Sequence, residues 1–138
     1  MENNNPLSIN IDRLKKVRAA VVISGDRNDE LEIKQYTDTN YHKRSIKSFK
    51  LPFDGEDEET PTIKGDVGII IVNNMLTTGF DAPIEQVLYL DRVLVAHNLL
   101  QAITRPNRVG EEGKDFGFVV DYVGIGHHLK KAIDYYWF

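Results

Sequence analysis

Val67-Gly68-Ile69-Ile70-Ile71-Val72 runs directly into Asn73-Asn74-Met75-Leu76-Thr77-Thr78-Gly79-Phe80-Asp81-Ala82-Pro83. The apolar run has the length and β-branched content of a strand covered on both faces, and the polar, glycine-containing segment begins where that strand must release the chain. In parallel sheets, ligand sites form at such carboxyl ends. Pro83 holds Ala82 to extended backbone, which stiffens the exit from this loop.

Downstream lies a second candidate strand, Gln86-Val87-Leu88-Tyr89-Leu90-Asp91, and then Asn98-Leu99-Leu100-Gln101-Ala102-Ile103-Thr104-Arg105-Pro106-Asn107-Arg108. Gln101, Arg105 and Arg108 stand at i, i+4 and i+7, so a helix places them on one face, with Pro106 making the last turn irregular. Spacing alone fits a polar outer face as well as a site. The chemistry narrows the choice of ligand: two planar, permanently charged guanidinium groups suit phosphate, which accepts forked donors.

Residues 77–83, TTGFDAP, and 101–108, QAITRPNR, resemble motifs V and VI of superfamily 2 helicase-like motors, in the form seen in the restriction subunit of type I restriction enzymes. The likeness extends from about Arg18 to Asp121, taking in Leu90-Asp91 and Phe116 to Asp121. It implies an α/β fold with a mainly parallel sheet flanked by helices, the second RecA-like (P-loop NTPase-like) domain of a motor. It also implies roles. Arg105 and Arg108 reach across a cleft to the γ-phosphate of ATP held with Mg2+ on a preceding motor domain, and Gln101 positions them. Thr77, Thr78 and Gly79 contact DNA, while Gly79 and Asp81 couple that track to the ATP cleft. From local chemistry alone, Asp81 reads equally as the cap of the turn after Gly79.

Composition sets independent limits. A chain of 138 residues suffices for one domain with a real core. It is 41% hydrophobic and 28% charged, with a formal net charge of −4, so it is not a basic nucleic-acid coat and any DNA contact must be local. Cysteine is absent, which excludes disulfides and thiolate metal sites. The sequence has neither a long uninterrupted apolar segment nor a signal-peptide pattern, and the expected setting is cytoplasmic with no membrane partner.

Residues 1–10 read as a flexible entry and 11–138 as the domain. Ser8 or Asn10 caps a short helix through Ile11, Leu14 and Val17, and Ala19 to Ile23 is a strand. It exits through Ser24-Gly25-Asp26-Arg27-Asn28-Asp29, which composition reads as a plain turn and the resemblance implies is a loop facing nucleic acid. Asp38-Thr39-Asn40 caps a helix from Tyr41 to Phe49, its outer face basic through Lys43, Arg44, Lys47 and Lys50. Residues 52–64 form an acidic loop in which Glu56-Asp57-Glu58-Glu59 repel one another, without the ligand alternation of a calcium site. A strand from Phe116 to Val120 and a helix beginning at His127-His128 complete the pattern. Adjacent histidines on a helix point apart, which favours a surface role over a metal.

Neither a phosphate loop of the form G-x-x-x-x-G-K-[ST] nor a Walker B carboxylate run is present, and no nuclease site is recognisable. The expectation is therefore an incomplete motor domain, lacking the strand and helix of motif IV, inactive alone and unable to hold ATP tightly. Within a type I site-specific deoxyribonuclease its partners would be double-stranded DNA, the preceding motor domain, and the modification and specificity subunits. Two alternatives stand beside this reading: a non-catalytic nucleic-acid or protein interaction module with a RecA-like fold, and a piece of another superfamily 2 repair helicase. Open strand edges predict self-association of the isolated chain.

Overall fold

Parallel strands cannot be joined by a tight turn, so each strand pair must carry a crossover, and the chain builds two such units in succession. The computed structural model describes residues 10–73, 75, 80–94, 96–108, 114–127 and 130. In the first unit α1 (Ile11–Lys16) leads into β1 (Arg18–Ile23), followed by α2 (Leu31–Lys34), a 3-10 turn (Gln35–Thr37), α3 (Thr39–Lys50) and β2 (Val67–Asn73). In the second, β3 (Val87–Leu90) is joined through α4 (Ala96–Ile103) to β4 (Phe118–Asp121). Strands β1 and β2 pair in parallel, as do β3 and β4.

The chain is α/β with parallel pairing and flanking helices, but the described strands form two two-stranded sheets rather than one. Each crossover brings its own two strands together and satisfies their facing edges. The link found between β2 and the chain beyond β3 is a side-chain bond, Arg92 Nη1 donating to Asn73 Oδ1 at 2.6 Å.

Local chemistry explains the elements of the first unit. The Asn10 side chain accepts from Arg13 N at 3.0 Å and Asp38 from Tyr41 N at 2.7 Å, each satisfying an orphan donor at a helix start. Ser8 lies outside the described residues. The strand register slips between Arg18 and Ala19, so that Gly68 opposes no partner. A Cβ on Gly68 would come within 2.5 Å of Val17 Cγ1, so this irregularity requires glycine.

Ala20 and Val22 are buried in β1, and Ser48 of α3 is buried above the start of β2. The Ser48 hydroxyl donates to the Lys64 carbonyl at 2.5 Å and accepts from Val67 N at 3.1 Å, pinning the helix to the strand. Arg18 and Asp66 add a two-pronged pair across the sheet entrance, at 2.6 and 2.8 Å.

Three expectations are corrected here. Strand β2 is not covered on both faces, since α3 packs on the sheet while Ile69 and Ile71 remain 54% and 51% exposed. Ile11 and Leu14 of α1 are likewise exposed, so the apolar positions of that six-residue helix are not buried as an inward face. Residues 52–64 are not a loop of unopposed charge: Glu56 bridges to Lys64, Asp57 N donates to Ile63 O, and Lys47 reaches both Asp57 and Glu59 at 3.2 Å. The basic face of α3 is thus partly neutralised by the acidic run it faces.

In the second unit, Leu90, Leu99 and Ile125 form a buried cluster, with Leu88, Leu94 and Ile103 packed against it. This core fixes α4 over β3 and sets where its C-terminal turn emerges. Most of the helix predicted from His127 lies outside the described residues.

Candidate arginine site

The helix carrying Gln101 stops at Ile103, short of both arginines, and Pro106 supplies the reason. Proline has no N–H to offer the Ala102 carbonyl, which instead accepts from Arg105 N at 3.2 Å as the chain tightens into a turn. The predicted helical face of Gln101, Arg105 and Arg108 is therefore not formed. Residues 104–108 turn back toward the loop that leads into β3.

That turn delivers both arginines to one segment. Arg105 Nη1 donates to the Phe80 carbonyl at 2.7 Å, and Arg108 Nη1 meets Asp81 Oδ1 at 2.5 Å. Gln101 stays on α4, with its Nε2 2.9 Å from His97 Nε2 one helical turn earlier. Thr77, Thr78 and Gly79 lie outside the described residues. Among the predicted site residues, then, the structure gathers Arg105, Arg108 and Asp81, and leaves Gln101 aside.

Phe80 is the hub of the arrangement. Its ring lies 5.7 Å from the Arg105 guanidinium carbon and 5.4 Å from Lys50 Nζ, while Phe49 packs beside it at 6.1 Å between centroids. A cation over an aromatic face is attracted to the ring quadrupole, by about 0.5–1 kcal/mol at exposed sites. Two cations from different units thus converge on one ring, and Lys50 ties α3 to the loop. Sequence reasoning quoted Phe80 without a role and placed Lys50 on the basic outer face of α3. A lone aromatic in a polar loop was the available signal.

Charge is distributed unevenly around this hub. Burial draws the Arg105 guanidinium below its ordinary value, Glu85 opposes the shift, and neighbouring Arg108 adds to it; arginine nonetheless remains cationic at neutral pH. Burial likewise raises Glu85 above the ordinary glutamate value, with Arg105 and Lys114 pulling the other way. Lys114, 8% exposed, donates from Nζ to the Pro83 carbonyl at 2.9 Å and also to the Glu85 carbonyl. Neither Glu85 nor Lys114 was singled out by sequence, since their burial depends on contacts across the chain.

Both members of the Arg108 and Asp81 pair are about half exposed, so this contact contributes only about 0.2–1 kcal/mol. It holds the guanidinium in place without committing it. The guanidinium groups are donors suited to the oxygens of an anion, whereas the carbonyls beside them are acceptors. No group of three or more metal-ligating side chains occurs among the described residues. No helix among them is long and apolar enough to cross a membrane.

Comparison with known proteins identifies the family. Residues 24–124 match the family described as type I restriction enzyme subunit R domain 3. The HindI type I restriction enzyme endonuclease subunit of Haemophilus influenzae is 32% identical over 91% of this chain and 11% of its own length. Two such subunits of Methanocaldococcus jannaschii, described as putative, MjaIXP and MjaVIIIP, are 35% and 38% identical over 86% and 84% of the chain, and 10% and 11% of their own lengths. The chain thus spans about a tenth of the relatives it matches. The match covers well over half of the chain and shows its family: this chain belongs to the type I restriction enzyme subunit R domain 3 family.

Proposed function

We propose that this chain is the arginine-bearing half of an ATP-driven DNA translocase motor, a second RecA-like domain within a type I restriction endonuclease. The observation that carries the reading is the joint delivery of Arg105 and Arg108 to Phe80 and Asp81. Family membership supplies the restriction context and favours it over a repair helicase. ATP would be held on a preceding motor domain, which would also carry the Mg2+ that neutralises phosphate charge. The arginines of this chain would approach the γ-phosphate from across the cleft.

The energetics fit such a handover. Phosphoryl transfer is catalysed chiefly by positioning and charge neutralisation, and a finger arginine contributes about 10³ to 10⁵ in rate. At about 1.4 kcal/mol per factor of ten, that exceeds what Arg108 would lose by leaving Asp81. Arg105, anchored to a backbone carbonyl and an aromatic ring, would serve as the fixed member of the pair. Thr77, Thr78 and Gly79 would contact double-stranded DNA, and Asp81 would couple that track to the arginines. Modification and specificity subunits would complete the complex.

A non-catalytic interaction module is the second reading, favoured by exposed Ile69, Ile71, Tyr89 and Phe118 on the strands. One assay separates the two. In a full-length restriction subunit carrying this chain, Arg105→Ala and Arg108→Ala should abolish most ATP turnover while sparing ATP binding. The interaction module predicts unchanged turnover and weakened assembly.

A further inference from the structure

Two segments must be held in register for the arginine pair to form: the loop bearing Phe80 and Asp81, and the turn bearing Arg105 and Arg108. We infer that the stretch from Lys114 to Gly117 is a brace spanning both, making Lys114 and Gly117 positioning residues for the two arginines.

At one end the Lys114 ammonium donates to the carbonyls of Pro83 and Glu85, within and at the end of the turn that follows Asp81. That turn is itself closed by Glu85 N donating to Ala82 O at 2.9 Å. A lysine only 8% exposed must have its donors satisfied, and two carbonyls from one turn make that turn the partner it cannot lose.

At the other end Gly117 N donates to Asn107 Oδ1 at 3.1 Å, and Asn107 Nδ2 donates to Ile103 O at 2.7 Å, joining the brace to the end of α4. The backbones approach closely here. A Cβ on Gly117 would lie 2.1 Å from the Pro106 carbonyl oxygen, so any side chain would push the 104–108 turn away. Only Asp115 and Phe116 separate the two anchors. The span is too short to stretch independently, and displacing either end moves one arginine partner relative to the other.

This inference rests on the finger reading of Arg108, and the test separates the two. In a full-length restriction subunit carrying this chain, Lys114→Met should lower kcat for ATP by about tenfold to a hundredfold, the scale on which small misplacements act, with KM for ATP unchanged. Added to the Arg105→Ala and Arg108→Ala double variant, Lys114→Met should cost nothing further, because a brace acting through the two arginines then has nothing left to position. Gly117→Ala should reproduce the kcat loss from the other end, so it carries the test if Lys114→Met does not fold. Wild-type kcat in a folded Lys114→Met subunit, or in Gly117→Ala where Lys114→Met is unfolded, overturns the brace, as does a further multiplicative loss from Lys114→Met where both arginines are already alanine. Arg108→Ala with wild-type turnover would instead remove the finger reading itself, and the brace with it.

Discussion

Arg108 and Asp81 meet at 2.5 Å across 27 residues of chain, where the turn after α4 and the loop before β3 bring opposite charges together. The contact is half exposed on both sides, which makes it a weak stabiliser and a readily exchanged one. Asp81→Asn should therefore change the unfolding free energy by less than about 1 kcal/mol. Urea titration of the isolated chain checks this, and a loss well above that bound would recast Asp81 as a structural anchor.

Ser48 predicts the opposite balance. Its hydroxyl is buried between Lys64 O and Val67 N, so Ser48→Ala strands backbone groups at the start of β2. A loss of about 1–3 kcal/mol is expected by the same titration. A change of only a few tenths would mean that water replaces the hydroxyl and that α3 is held by other contacts.

How far the sequence led can be judged at particular residues. Capping and periodicity placed β1, α3 and β3 within a residue or two, because Asp38, the apolar runs and their flanking turns act locally. The two arginines were singled out by the family resemblance, since spacing alone fitted a polar outer face as well. Their geometry was not legible, because Pro106 ends hydrogen bonding before the helix reaches them. Lys114 was illegible for a different reason: its partners lie 29 and 31 residues earlier, and no local pattern announces a buried lysine. The exposure of Ile69 and Ile71 also depends on what packs over a strand, which its own residues do not specify.

Glu85 gives a pH-dependent expectation. Burial raises its folded pKa above the ordinary value of 4.5, so the fold favours the protonated acid. Its contribution to stability is fully present below the unfolded pKa and is lost as pH rises through the folded one. Glu85→Gln should therefore be at least as stable as the native chain at neutral pH, with the difference shrinking as pH falls toward 4.5. Thermal melts of both proteins across that window check it, and a variant uniformly less stable at neutral pH would show that the ionised carboxylate is held by a stabilising partner.

Self-association of the isolated chain follows from its strands. Two short parallel sheets leave outer edges and the apolar side chains of Ile69 and Ile71 open among the described residues. Sedimentation velocity should show mass increasing with concentration, and Ile71→Lys should reduce it. A chain that remains monomeric at every concentration would contradict this.

The central claim is that Arg105 and Arg108 act on the transition state of ATP hydrolysis, and single-turnover kinetics tests it most directly. With a full-length restriction subunit carrying Arg108→Ala bound to DNA and ATP, the hydrolytic rate should fall by about a thousandfold or more while ATP affinity holds steady. Arg105→Ala should behave alike. Wild-type single-turnover rates in both variants, measured with ATP fully bound, would contradict the account.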